Sequence, residues 1–369
     1  MRNRPSLFFA ALVCIALLAS CASGGPTLST PPTFVLAWTG ADNRVHTMQS
    51  TDGSTWVLPA VAPGPNSTDG VAVAHDGRLQ WLVLWNAGGR LSYISGIGGL
   101  PSATAATGIT WESTATTLRA SQVAGTPALA YGNQKWVAVY LASGGLRIVR
   151  SILDSSTTNA ADEDLGIATA SFTPALTFGA GKFVLAYLDG SRNLVARTSP
   201  DGMTWSQPST IFPITNIGGN PAACTSPTNV TLSFAGGAFY AVGRLSTTLC
   251  AGNTQAGGSS IAVFRSPDGA SWTTLADRQS GPTVIREEAG IPGAAFAQCR
   301  LVVAYTQTRV GTTPNITPVP NHLVIQIGQP SSCSNPASFT FGAPQTISAA
   351  PTAQLDSVLA VVFGSRGGP

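Results

Sequence analysis

The chain has 369 residues, of which only 9% are charged, and its formal net charge is +3. So small a charge, with no cluster of Lys and Arg, excludes a phosphate-binding stripe and hence nucleic acid as a partner. The 40 Gly and 26 Pro suit an exported all-β protein with many turns. At the N-terminus, Arg2 and Arg4 precede an apolar run over residues 7–19. A basic segment followed by an apolar one too short to span a bilayer predicts an export signal over residues 1–20. No later stretch is long and apolar enough to cross a membrane as a helix.

The apolar run ends in LASC, residues 18–21, which resembles the lipobox of bacterial lipoproteins. In that family the cysteine is acylated and becomes the mature N-terminus. The resemblance implies lipid attachment at Cys21 and a flexible tether over residues 21–32. It also implies a folded domain over residues 33–369. Ala22 after the cysteine, where Asp would direct retention, points to the outer membrane in a Gram-negative cell.

From residue 33 onward an apolar run, a small-residue turn and a second apolar run with aromatics recur. Examples are VAVAHDGRLQWLVLW (71–85), PALAYGNQKWVAVY (127–140) and PALTFGAGKFVLAY (174–187). With four strands a to d per unit, strand b begins near Phe34, Trp81, Trp136, Phe183, Phe239 and Leu301. These spacings match the blades of a propeller with loop insertions. The last unit stops after strand a, residues 357–369, and its missing partner TFVLAW (33–38) lies at the other end of the chain. The split predicts a closed, six-bladed β-propeller of four-stranded antiparallel blades, sealed by its two ends.

After strand c, three units carry STDGSTW (50–56), SPDGMTW (199–205) and SPDGASW (266–272). Asp and Gly serve a tight turn, through carboxylate bonds to backbone N–H groups and through positive φ. Trp buries a large ring between sheets. The stretches resemble the Asp-box of sialidase-like propellers, although Gly here follows Asp directly. The resemblance implies that Ser50, Asp52, Gly53 and Trp56, Ser199, Asp201, Gly202 and Trp205, and Ser266, Asp268, Gly269 and Trp272 are structural. Phe172 and Phe339 stand where other units carry the Trp.

In such a blade the d–a and b–c connections share one end, the usual ligand face, and the a–b and c–d connections share the other. Most long connections fall on the first face, among them a b–c connection over residues 306–321, an asymmetry that points to a contact surface. The exception is the c–d connection over residues 151–168, which carries Asp162, Glu163 and Asp164. Cys224 and Cys250 belong to the first face, Cys299 and Cys333 to the second. Because disulfide geometry forbids a bridge along the strand length, the expected pairs are Cys224–Cys250 and Cys299–Cys333. There is no CxxC pair and the three His are scattered, so neither a metal nor a cofactor is expected.

Resemblance to sialidases implies three arginines that grip a substrate carboxylate, an acidic general acid and a Tyr–Glu nucleophile pair. The candidates on the ligand face are Arg119, Arg286 and Arg309, with Glu112, Glu287, Glu288 and Asp356. Every recognisable motif is structural, however. The favoured expectation is therefore a membrane-anchored, non-catalytic module that binds a glycan or an envelope protein, with a sialidase-like glycoside hydrolase or lyase as the alternative. The sector of the fourth to sixth units, with Arg278, Arg286, Glu287, Glu288, Arg309 and Asp356, is the expected contact surface.

Overall fold

A computed structural model describes residues 33–364 apart from 58–59, 99–108, 119–121, 143–144, 151–162, 168–172, 214, 217–223, 247–258, 277–284, 287–291, 311–316, 335 and 348–358. The signal, the tether and Cys21 lie outside the described residues. Everything described is strand, turn or bend, arranged as six antiparallel sheets.

The six sheets are the blades. Strands a, in the order of blades 1 to 6, are Ala360–Gly364, Val71–His75, Ala124–Gly132, Ala175–Gly179, Cys224–Ala235 and Gly293–Ala297. Strands b are Thr33–Thr39, Gln80–Asn86, Lys135–Ala142, Lys182–Leu188, Ala238–Ser246 and Arg300–Val310. Strands c are Val45–Ser50, Leu91–Gly98, Gly145–Arg150, Leu194–Ser199, Ser259–Ser266 and Thr317–Pro330. Strands d begin with Ala60–Val61, Ile109–Trp111, Glu163–Ile167, Ser209–Phe212, Thr273–Ala276 and Phe339–Phe341. Each strand a touches the strand a of the next blade, and the last touches the first. Blade 1 is built from both ends of the described chain, with Phe34 opposite Phe363 and Leu36 opposite Val361. The six-bladed closure expected from the split unit is therefore present.

The b strands read as continuous apolar runs because both of their faces are covered. In Thr33–Thr39, Phe34, Leu36 and Trp38 enter the core against blade 6, whereas Val35 and Ala37 enter the core against blade 2. Six such clusters fill the six interfaces between blades. Alternation along each strand thus divides one apolar sequence between two cores.

Four a–b connections turn on two residues with positive φ: Asn133 and Gln134, Ala180 and Gly181, Gly236 and Gly237, Gln298 and Cys299. Two left-handed residues in succession match the twist of a tight hairpin. Here Asn and Gly are partly replaced by Gln, Ala and Cys, each of which costs about 1 kcal/mol in this conformation.

Two sequence expectations are corrected. Glu163 and Asp164 lie in strand d of blade 3, where Glu163 is opposite Ile148, not in the c–d connection. The long b–c connection expected over residues 306–321 is largely ladder, with Val310 opposite Thr317 and Gln307 opposite His322. Neither TQTRV (306–310) nor EDLGI (163–167) shows the apolar alternation that marks a half-buried strand.

Candidate functional site

The three Asp-Gly turns share one hydrogen-bond pattern. The Ser hydroxyl donates to the Asp carboxylate and accepts from the Gly N–H, at 2.9 and 2.8 Å for Ser50, 3.0 and 2.8 Å for Ser199, and 2.9 and 2.8 Å for Ser266. Asp Oδ1 then accepts from the two N–H groups after Gly. Chiefly the second of these bonds, from Thr55, Thr204 and Ser271, holds each carboxyl below the usual range. Such acids stay ionised and already bonded, which suits a turn and not proton transfer.

Each turn is also clasped by the a–b connection of the preceding blade. Asn133 Nδ2 donates to Pro200 O at 2.5 Å, Lys182 Nζ to Asp268 O at 3.4 Å and Arg300 Nη1 to Asp52 O at 2.7 Å. Trp56 Nε1 donates back to Gly53 O, whereas Trp205 and Trp272 bury theirs without a partner. All twelve turn residues therefore serve the joints between blades, at the a–b and c–d end.

Cys299 and Cys333 form a disulfide with Cα atoms 4.9 Å apart, at the same end. Cys224 starts strand a of blade 5 opposite Asn216, and Cys250 lies outside the described residues. Arg119, Arg278, Glu287, Glu288 and Asp356 also lie outside them. The backbones of Arg286 and Arg309 are in ladders opposite Ser260 and Pro318. Glu112 is exposed, and its N–H donates to Ser95 O. Among the described residues no cluster of His, Cys, Asp and Glu could hold a metal.

An axial cavity of about 930 Å³ runs along strand a of all six blades. Strand a is the terminal strand of five sheets, and in blade 5 only its start, Cys224 and Thr225, is paired further, with Asn216 and Thr215, so the remaining inner edges turn backbone N–H and C=O groups toward this space. Small side chains, among them Ala72, Ala128, Ala175 and Ala295, keep it open.

Near the a–b end six rings line the cavity at one equivalent position: His75, Tyr131, Phe178, Phe234, Phe296 and Phe363. Each is opposite the first core residue of strand b, namely Trp81, Trp136, Phe183, Phe239, Leu301 and Phe34. Five of the pairs are tilted ring contacts with centroids 4.4 to 5.0 Å apart. The next residue is small in most blades, because the ring of the following blade lies over it. A Cβ at Gly132 would overlap Phe178, and one at Gly179 would overlap Phe234.

Hydroxyls complete the wall at Thr126, Thr177, Thr231 and Ser233. Thr126 is engaged by Gly70 N–H at 2.9 Å. Ser233 Oγ is buried and has no partner in the protein. The sequence signal for this wall is an aromatic or His followed by a small residue or Asp, just before each a–b turn. It recurs six times.

His75 is the one imidazole of this ring. Burial pushes it down to about 4, only partly opposed by Asp76, and its Nδ1 accepts from Gly77 N–H at 3.0 Å. The folded value lies below the ordinary 6.5, so the unfolded chain takes up the proton first. Stability is thus complete above pH 6.5 and falls as the pH drops toward 4, by up to about 3 kcal/mol. Melting curves between pH 7 and 4 should show this fall, and His75→Gln should flatten it. An unchanged slope in that variant would assign the fall to other groups.

No protein-family model matches the chain, and no curated protein matches it. Solved structures do. The SapL1 lectin in complex with alpha methyl fucoside is similar over 89% of this chain and 98% of that one, at 14% identity and a TM-score of 0.52. AofleA from Arthrobotrys oligospora is similar over 79% of this chain and 74% of that one, at 14% identity and a TM-score of 0.49. The catalytic domain of Coprinopsis cinerea GH62 alpha-L-arabinofuranosidase covers 77% of this chain and 94% of its own, at 15% identity and a TM-score of 0.41. At these identities the likeness to SapL1 shows the propeller fold.

Proposed function

We propose that this chain is a non-catalytic carbohydrate-binding propeller, held at a membrane surface by lipid on Cys21, with the axial cavity as its binding site. The cavity wall is the observation that supports this. It sets six ring side chains beside small residues, backbone edges and the half-buried threonines Thr177 and Thr231. A sugar has apolar C–H faces for the rings and hydroxyls that both donate and accept. The structurally similar SapL1 is a lectin with a bound fucoside, which agrees with a glycan ligand.

A glycan array followed by titration calorimetry tests the proposal. Ser233→Ala removes only an unpartnered hydroxyl, so the melting temperature should hold or rise. The double variant Thr177→Val with Thr231→Val, which strips two hydroxyls from the cavity wall, should weaken binding of the selected glycan about tenfold. Unchanged affinity in the double variant would overturn the cavity as the site. Release of free sugar from the bound glycan would favour a glycoside hydrolase instead.

A further inference from the structure

The sequence enters the propeller at Thr33, the first residue of strand b of blade 1, opposite Gly364. Strand b starts at the a–b end. Residues 22–32 therefore join Cys21 to the a–b and c–d face, and even fully extended they reach no more than about 40 Å.

Four large apolar side chains stand exposed among the described residues. Three belong to this face: Leu79 (40%) in the a–b connection of blade 2, Ile97 (65%) near the end of its strand c, and Met203 (55%) at the tip of an Asp-Gly turn in blade 4. Leu79 and Ile97 are neighbours, because Gly98 N–H donates to Leu79 O at 2.8 Å. Val61, the fourth, is opposite His46 near the b–c end. Among the described residues of this face Arg78, Lys135, Lys182 and Arg300 are matched in number by Asp52, Asp76, Asp201 and Asp268, which leaves the three apolar side chains as its distinctive contact groups.

We propose that the a–b and c–d face rests on the lipid bilayer, with Leu79, Ile97 and Met203 entering the headgroup region. The proposal rests on acylation of Cys21. Interfacial contacts of this size are weak singly, but a short lipid tether turns them into intramolecular contacts at high effective concentration. The opposite face, with the d–a end of the cavity, then points away from the membrane.

Met203 is its own reporter, since Met48 is buried. The acylated full chain is bound to phosphatidylcholine vesicles and treated with hydrogen peroxide, and Met203 sulfoxide is followed by mass spectrometry. Oxidation should be at least about fivefold slower than in soluble Cys21→Ser. Leu79→Ser with Ile97→Ser should restore the soluble rate without releasing the protein. Ser191→Met, at an exposed b–c turn on the far face, adds a methionine that should oxidise equally fast in both states. Protection of that methionine instead, or of neither, overturns the orientation while leaving the anchor intact. An unmodified Cys21 in the same spectra overturns the anchor and the orientation with it.

Discussion

A chain ending at Leu359 is expected not to fold. The residues removed include the whole strand a of blade 1, five ladder pairs with strand b and the tilted ring contact of Phe363 with Phe34 at 4.8 Å. Val361 is 3% exposed, and Phe363 and Val362 are half-buried. Their burial contributes on the order of 5 kcal/mol, as much as the entire net stability of many domains. The cut also bares the inner edge of Thr33–Thr39. Circular dichroism should show no cooperative melt, and limited proteolysis should degrade the chain. Removing only residues 365–369 leaves the ladder intact and should change little. A melting temperature within a few degrees of the full chain after the larger deletion would show that the ring does not depend on its seal.

Gly179→Ala should be a strongly damaging single methyl. Gly179 closes strand a of blade 4, and a Cβ there would overlap the Phe234 ring of blade 5. Phe234 cannot simply yield, because it packs on Phe239 at 4.8 Å, which is itself fully buried. Overpacking of this kind costs about 3 kcal/mol, or for a domain of this size a fall in Tm on the order of 4 °C. Gly190→Ala is the control: a Cβ there meets nothing within 4 Å, and the melt should not move. Adding Phe234→Leu to Gly179→Ala should cost less than the sum of the two single changes, because the smaller side chain relieves the overlap. Strict additivity would show that the two residues do not share this contact.

The blades were legible because each b strand writes its double burial directly, as in WLVLW or FVLAY. The split unit at the two ends was legible because TFVLAW lacks a strand before it. The connections were less so. Residues 306–310, TQTRV, are strand without apolar alternation, and Glu163 and Asp164 occupy an outer strand whose exposed positions carry charge freely. The axial rings were present in every quoted hairpin, but one aromatic per hairpin reads as ordinary core. Only the ring of blades shows that His75, Tyr131, Phe178, Phe234, Phe296 and Phe363 face a shared space. Interest in the long loops drew attention to Arg286 and Arg309, whose backbones are in ladders.

The pairing of Phe34 with Phe363 also has a kinetic side. The first strand to leave a ribosome or an export channel waits for the last, so blade 1 stays three-stranded until nearly the whole chain has emerged. Contacts of such sequence separation are slow to form, because loop closure precedes their reward. During that interval the inner edge of Thr33–Thr39 can accept any matching strand. The best match nearby is Ala360–Gly364 of another copy, whose sequence is identical to the missing piece. Crowded, newly made chains are thus exposed to exchange of the final strand, a route to swapped dimers and longer chains.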